Sequence, residues 1–156
     1  MSRACCFTGH RVLPPECDPA FSALTEALDR AIDEAIVRGC TEFYAGGAVG
    51  FDMLAAEAVQ RRKAQSPALR LTLCVPYLGH NAGFSASDQS RFTRLKESAD
   101  RVLILSDHYT PSCYRIRNLY MVEHCDLLIA YVRRAQSGSG QTYAMAKKRG
   151  LAVILL

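Results

Sequence analysis

The chain has 156 residues, of which 49% are hydrophobic and 22% charged, and its formal net charge is +4. This size and composition exclude a disordered chain and favour one globular domain over residues 1–156. The small charge and the absence of tryptophan argue against nucleic acid as a partner. Seven cysteines without a CxxC pair or zinc-like spacing, no visible signal peptide and no long apolar run indicate a reduced cytoplasmic protein with no metal site and no membrane partner.

In the first half of the chain, three apolar runs alternate with segments of helical periodicity. The predicted strands are residues 3–8, 42–45 and 69–75. The first helix begins after Asp18, a good N-cap followed by Pro19, and it ends at Gly39. The second helix follows a glycine turn and runs to about Lys63, and the third begins at about Ser87.

The second half of the chain continues the alternation. Strands are predicted at 101–105, 126–132 and 152–155, with a helix over 113–124 that Ser112 can cap and a last helix that ends near Gly150. The strands are continuous apolar runs, which are typical of a sheet covered on both faces. The sequence therefore predicts a doubly wound α/β domain with three layers, in which helices cover both faces of a mostly parallel six-stranded sheet.

Polar residues and glycines collect where the predicted strands end. Ligands of open parallel sheets bind beyond the carboxyl ends of the strands, where the strand order reverses. Two glycine-rich turns lead from strands into helices there, so that backbone N–H groups and helix dipoles can face one anion. We therefore predict a phosphate-binding cleft. The ligand contacts expected from these strand ends are Thr8, Gly9, His10, Arg11, Gly46, Gly47, Gly50, Asp52, Pro76, Tyr77, Gly138, Ser139, Gly140 and Thr142.

Each of these turns also has a simpler interpretation. The segment Gly46-Gly47-x-x-Gly50 matches neither GxGxxG nor a P-loop, and it could serve only close packing of a helix on a strand. The second turn, residues 137–140, could be a flexible surface loop. Asp52 is favourable in the first turn of a helix even without a ligand.

Two arginines give a stronger signal for an anion. Arg115 and Arg117 lie in the first turns of the helix after Ser112, where a cation meets the positive end of the dipole at a cost of about 0.3–1 kcal/mol. A phosphate bound nearby would reverse that sign. The alternatives are pairing with Asp107 or Glu123, or exposure to solvent.

Three segments of the chain resemble the YpsA-like proteins of bacteria: CCFTGHR at 5–11, GGAVGFDMLAAE at 46–57 and RNLYMVE at 117–123. Those proteins belong to the SLOG superfamily, together with the DprA/Smf domain and the LONELY GUY enzymes. The resemblance covers the chain in order and implies a Rossmann-like fold with the first strand between the second and the fifth. It also implies a nucleotide ligand, or a phosphorylated derivative such as ADP-ribose or NAD, and it suggests a homodimer.

The LONELY GUY enzymes cleave nucleoside monophosphates at the N-glycosidic bond, and the comparison with them is mixed. Arg117 matches their catalytic arginine, and Asn118, a further expected ligand contact, stands where they have a lysine. Their glutamates follow the second glycine loop, whereas Tyr-Ala-Met follows Thr142 here. The acid that this chemistry requires is therefore missing from its usual place.

An oxocarbenium-like transition state needs a carboxylate nearby. In this chain only Asp52 or Glu57 could supply it, and only with a different geometry. We therefore expect a nucleotide-binding sensor or regulatory module rather than an enzyme. The first alternative is a nucleotide N-glycosidase with Arg117, Asp52 and Glu57 as catalytic candidates, and the second is DprA-like binding of single-stranded DNA, against which the modest charge argues.

Overall fold

The computed structural model describes residues 3–156, and the first two residues lie outside that range. The strands are β1 (Arg3–Gly9), β2 (Cys40–Ala45), β3 (Arg70–Val75), β4 (Arg101–Ile104), β5 (Leu127–Tyr131) and β6 (Ala152–Leu155). The helices are α1 (Pro19–Val37), α2 (Phe51–Gln65), α3 (Ala86–Ser98), α4 (Cys113–His124) and α5 (Gly138–Lys148). Every predicted element is present, with small shifts at the ends.

The six strands form one sheet in the order β4-β3-β2-β1-β5-β6, and all five neighbouring pairs are parallel. The predicted α/β class with a Rossmann-like arrangement is confirmed. Strand β1 lies between β2 and β5, with Cys5 opposite both Phe43 and Leu127. Successive strands extend outward from β1 in one direction and then in the other, so the order reverses at its carboxyl end.

Helices bury both faces of the sheet. Phe7 of β1 packs into the core beneath α1, α2 and α3, together with Leu28 and Phe92. Cys6, its neighbour in the strand, points to the other face and packs with Met121 of α4 and Ala146 of α5. Because alternate residues of β1 enter cores on opposite faces, residues 4–7 form a continuous apolar run.

The cysteines that the sequence places in strands are buried and unpaired. Cys5, Cys6 and Cys74 pack as small apolar side chains, and burial raises the pKa of Cys74 to about 12. That thiol therefore stays protonated at neutral pH. Within residues 3–156, no helix is long and apolar enough to cross a membrane.

The helix N-termini show one confirmed cap and one wrong prediction. The Asp18 carboxylate accepts a hydrogen bond from the Ala20 N–H group at 2.9 Å and caps α1, as predicted. Ser112 precedes α4 but its side chain makes no capping hydrogen bond, so that prediction is wrong. At α5 the hydroxyl of Ser137 accepts from the Gly140 N–H group at 3.0 Å.

Candidate functional site

A cleft of about 300 Å³ lies beyond the carboxyl end of β1. Its walls come from the loop after β1, the turn into α2, the first half of α4 and the loop into α5. Both glycine-rich turns therefore contribute to one cleft, because parallel strands deliver their following loops to the same edge of the sheet. The lining residues are Thr8, Gly9, His10, Arg11, Val12, Ala48, Asp52, Tyr114, Arg117, Asn118, Arg134, Ser137, Gly138 and Ser139.

Arg117 is the buried cation of the cleft, with only 4% of its surface exposed. Its Nη1 donates hydrogen bonds to the backbone carbonyl oxygens of Gly46 and, at 3.2 Å, of Cys74. Its Nε donates to the side-chain oxygen of Asn118 at 2.8 Å. The side chain thus ties α4 to the ends of β2 and β3, and its burial lowers the pKa of the guanidinium.

Asp52 lies opposite Arg117 in the first turn of α2, with 4.0 Å between its Oδ2 and Nη2 of the arginine. Burial raises the pKa of this carboxyl group, and the nearby charge of Arg117 opposes that effect. A Cβ atom on Gly46 would lie 2.5 Å from both Oδ2 of Asp52 and Nη1 of Arg117. The glycine at position 46 is therefore what lets the two charged side chains approach over the backbone.

The first glycine turn is also held by its neighbours. Gly47 and Gly50 have positive φ angles of 75° and 85°. The Gly47 carbonyl oxygen accepts a hydrogen bond from Nε2 of His80 at 3.2 Å, and a Cβ atom on Gly50 would lie 2.2 Å from the carbonyl oxygen of Arg11. The turn therefore serves close packing as well as lining the cleft.

His10 connects β1 to the second glycine loop. Its Nε2 accepts a hydrogen bond from the Arg133 N–H group at 2.7 Å, and its Nδ1 lies 3.1 Å from the hydroxyl of Ser139. Because Nε2 is the acceptor, the proton of the neutral ring is on Nδ1 and is donated to Ser139. His10 is thus oriented to hold the loop and not to remove a proton from Ser139, which excludes a serine–histidine nucleophile in this arrangement.

The pKa of His10 is lowered, chiefly by burial and also by the charges of Arg134 and Arg133. Between that lowered pKa and about 6.5, the unfolded chain binds more protons at this position than the folded one. We therefore expect stability to fall as the pH is reduced below about 6.5, by at most about 1.4 kcal/mol per pH unit for this group.

Urea titrations between about pH 7 and about pH 5 will measure this slope. His10→Gln keeps an acceptor near the position of Nε2 but cannot be protonated, so its slope is expected to be smaller than that of the wild type. His80 also has a pKa lowered by burial and stays in both proteins, which makes the comparison specific for His10. If stability changes equally with pH in the two proteins, the pH dependence does not come from His10.

The remaining predicted ligand contacts lie behind or beside the cleft. Pro76 is buried, and the ring of Tyr77 lies 6.2 Å from that of the cleft residue Tyr114. The hydroxyl of Thr142 is turned inward and donates to the Gly138 carbonyl oxygen at 3.1 Å. Gly140 packs against the chain, since a Cβ atom there would lie 2.2 Å from the Ala135 carbonyl oxygen.

The cleft lining does not include the predicted contacts Gly46, Gly47, Gly50, Pro76, Tyr77, Gly140 and Thr142. Two further predicted residues also lie outside the lining. Glu57 points toward α3, where its carboxylate pairs with Arg91 at 2.6 Å. Arg115 is exposed on α4 and is not among the lining residues. Glu123, which the sequence offered as a partner for the arginines of α4, pairs with Arg149 instead.

Tyr114 and Arg134 line the cleft although sequence reasoning did not select them. The signal for Tyr114 was present, because it precedes Arg117 by three residues and so lies on the same face of α4. Arg134 belongs to an irregular loop, and no periodicity could have placed it.

With this geometry in view, comparison with known proteins identifies the family. Residues 5–151 match the model of YpsA, described as the YspA SLOG family. The chain belongs to this family. The resemblance of the three sequence segments to YpsA-like proteins is thereby confirmed.

The relatives of this YpsA-family chain include UPF0398 proteins of bacteria. A UPF0398 protein of Bacillus thuringiensis (strain Al Hakam) is 24% identical over 135 residues, which cover 85% of this chain and 73% of the relative. A UPF0398 protein of Halalkalibacterium halodurans is 26% identical over 129 residues, covering 81% and 68% of the two chains.

Two solved structures of DNA processing protein A share the fold. The protein from Streptococcus pneumoniae superimposes with a TM-score of 0.66 at 16% identity, covering 99% of this chain and 50% of that one. The protein from Helicobacter pylori, solved for its single-stranded DNA binding mode, gives 0.66 and 16%, with coverages of 98% and 64%. This chain therefore spans half to two thirds of the length of those proteins. Neither structure supports the expectation that nucleic acid is not a partner.

Proposed function

We propose that the cleft binds a nucleotide or a phosphorylated nucleotide derivative, such as AMP, ADP-ribose or NAD, and that the protein acts as a sensor or regulatory module. The observation that carries this proposal is the charge of the lining. Arg11, Arg117 and Arg134 line the cleft together with one carboxylate, that of Asp52. The cleft thus has an excess of positive charge, which suits a phosphate group.

The start of α5 adds to this preference for an anion. Gly138, the first residue of the helix, is exposed at the cleft, and no atom lies within 4 Å of where its Cβ atom would be. The backbone there is open to a ligand at the positive end of the helix dipole. A phosphate at this position would face the helix and the arginines together.

A nucleotide N-glycosidase is the second candidate, and the position of Asp52 is the observation that favours it. Asp52 is a buried carboxyl group beside an arginine in a cleft, with its pKa raised by burial, which are properties of a catalytic acid. Glu57 is not among the residues that line the cleft and pairs with Arg91 instead. If the protein is an enzyme, Asp52 is the residue that would stabilise the developing charge.

Calorimetric titration with AMP tests the proposal, with free adenine in the same samples measured by chromatography. We expect AMP to bind, and at a hundredfold excess over its Kd to raise stability by about 2.7 kcal/mol. Gly138→Asp places a negative charge at the mouth of the cleft and is expected to weaken AMP roughly tenfold or more. The substitution should not lower the stability of the free protein, because an acid suits the first turn of a helix.

Two matched variants separate charge from position. Gly138→Ala adds a side chain without charge, and Gly83→Asp adds the charge at another open glycine outside the cleft. Gly83→Asp should bind AMP as the wild type does, and Gly138→Ala should weaken AMP binding less than Gly138→Asp does. Failure of AMP, ADP-ribose and NAD to bind would refute the proposed function, and release of adenine that Asp52→Asn abolishes would favour the glycosidase.

A further inference from the structure

Three tyrosines form a chain of edge-to-face contacts that leads out of the cleft. Tyr114 of α4 lines the cleft, and its ring centroid lies 6.2 Å from that of Tyr77 at an angle of 88°. The ring of Tyr77 lies 5.5 Å from that of Tyr109 at 73°. The three residues come from different elements: the loop after β3, the loop after β4 and the helix α4. We call Tyr77, Tyr109 and Tyr114 the tyrosine cluster.

The tyrosine cluster is joined to the cationic part of the cleft. The Cζ atom of Arg11 lies 4.8 Å from the ring centroid of Tyr114, and Cζ of Arg117 lies 5.8 Å from the same ring. Tyr114 therefore contacts two cleft arginines as well as Tyr77. A ligand with one anionic end and one planar aromatic end would match this sequence of contacts.

The outer end of the tyrosine cluster is open to solvent. Tyr109 is 58% exposed, and Tyr77 is half-buried. Both lie at the sheet edge that carries the cleft, and neither belongs to the two buried cores. Their aromatic surface is thus available to a planar group that approaches along the cleft.

We propose that Tyr77 and Tyr109 form a base-binding subsite for the ligand whose phosphate lies in the cleft. This inference rests on the proposed function and specifies its ligand as a nucleotide with an intact base, as opposed to a sugar phosphate. Stacking on tyrosine accepts any nucleobase, because every base has an aromatic face. The phosphate site and the base site would then act on opposite ends of one molecule.

The test compares AMP with ribose 5-phosphate, which lacks the base, by calorimetric titration. The wild type is expected to bind AMP roughly tenfold more tightly. Tyr109→Ala should remove that advantage and leave the affinity for ribose 5-phosphate unchanged. Tyr109→Phe keeps the ring and should behave as the wild type. Thermal unfolding of each free protein shows that the fold is retained.

Val37→Ala is the matched surface control, because Val37 is 86% exposed at the end of α1, at the opposite edge of the sheet. It should change neither affinity. If both ligands bind the wild type equally, or if Tyr109→Ala weakens both equally, the base-binding subsite is refuted while the phosphate cleft stands. If neither ligand binds, the proposed function itself fails.

A short poly(dT) oligonucleotide provides the remaining comparison. If the oligonucleotide binds, if its binding depends on Tyr109, and if AMP does not bind, the tyrosine cluster binds single-stranded DNA. The proposal of a base-binding subsite for a nucleotide is then overturned. If AMP binds with the expected dependence on Tyr109, a nucleotide is the ligand, whatever the oligonucleotide does.

Discussion

Gly50→Ala is expected to lower the free energy of unfolding by roughly 2–5 kcal/mol. Two effects add at this position. The backbone has a φ of 85°, which an alanine adopts only at a cost, and a Cβ atom would lie 2.2 Å from the carbonyl oxygen and 2.6 Å from the carbonyl carbon of Arg11. Because these are backbone atoms, no side-chain rotation can relieve the collision, and the loop after β1 must move away from α2.

Gly79→Ala is the control that separates these two effects. Gly79 has nearly the same φ, 84°, but no atom lies within 4 Å of where its Cβ atom would be. Only the backbone cost of about 1–2 kcal/mol should appear there. Urea titrations will give the loss of stability of both variants, provided that the dependence of the unfolding free energy on urea concentration is the same as in the wild type. Equal losses for the two variants would show that the contact with Arg11 yields without cost.

The displacement of the loop after β1 in Gly50→Ala should also affect ligand binding. The Phe51 N–H group, at the start of α2, donates to the His10 carbonyl oxygen at 3.1 Å. A shift of the loop at Arg11 therefore moves the His10 side of the cleft. Where Gly50→Ala still folds, we expect weaker binding of AMP than in Gly79→Ala.

Arg117→Met should destabilise the protein by roughly 3–5 kcal/mol, because it breaks a buried charge pair and leaves one member behind. The substitution removes the donor to the carbonyl oxygens of Gly46 and Cys74 and the positive charge beside Asp52. With the arginine gone, the effect of burial is opposed only by the weaker effects of the Ala48 backbone and the charge of Arg11, so the pKa of Asp52 rises further above its ordinary value.

The sign of the pH dependence follows from that rise. A carboxyl group with a raised pKa in the folded state destabilises the protein as the pH increases and it must ionise. The loss caused by Arg117→Met should therefore be larger at about pH 7 than at about pH 5. Denaturant titrations of wild type and variant at both values will measure the difference.

Arg117→Met combined with Asp52→Asn tests the cause. The neutral amide removes the unpaired charge, so the double variant should recover part of the stability and lose the pH dependence of the deficit. A deficit that is the same at both pH values, with no recovery in the double variant, would mean that Arg117 acts through its backbone hydrogen bonds alone.

Much of this architecture follows from local patterns in the sequence. The continuous apolar runs and the helical spacing between them predict a parallel sheet, and its carboxyl edge then gathers His10, Asp52, Arg117 and Ser139. The different directions of the Asp52 and Glu57 side chains can also be predicted from the sequence. Five residues along a helix turn the side chain by about 140°, so one residue can face the cleft while the other faces α3.

Other features depend on tertiary contacts that no local pattern contains. The hydrogen bond from the Arg133 N–H group to His10 joins residues 123 positions apart and fixes the tautomer of the ring. Tyr77 and Tyr109 meet because β3 and β4 are neighbours and their following loops are adjacent. Ser112 illustrates the opposite error, since a residue suited to capping α4 does not adopt the required geometry.

The bond between His10 and Ser139 spans 129 positions, and that between Arg117 and Gly46 spans 71. Closing loops of this length lowers the entropy of the chain before the stabilising contacts form. The walls of the cleft are therefore expected to meet late in folding. The binding site would then form only when the whole chain has folded. A partly folded molecule that retains the helices and several strands would not bind the ligand. The ligand would therefore stabilise only the complete fold.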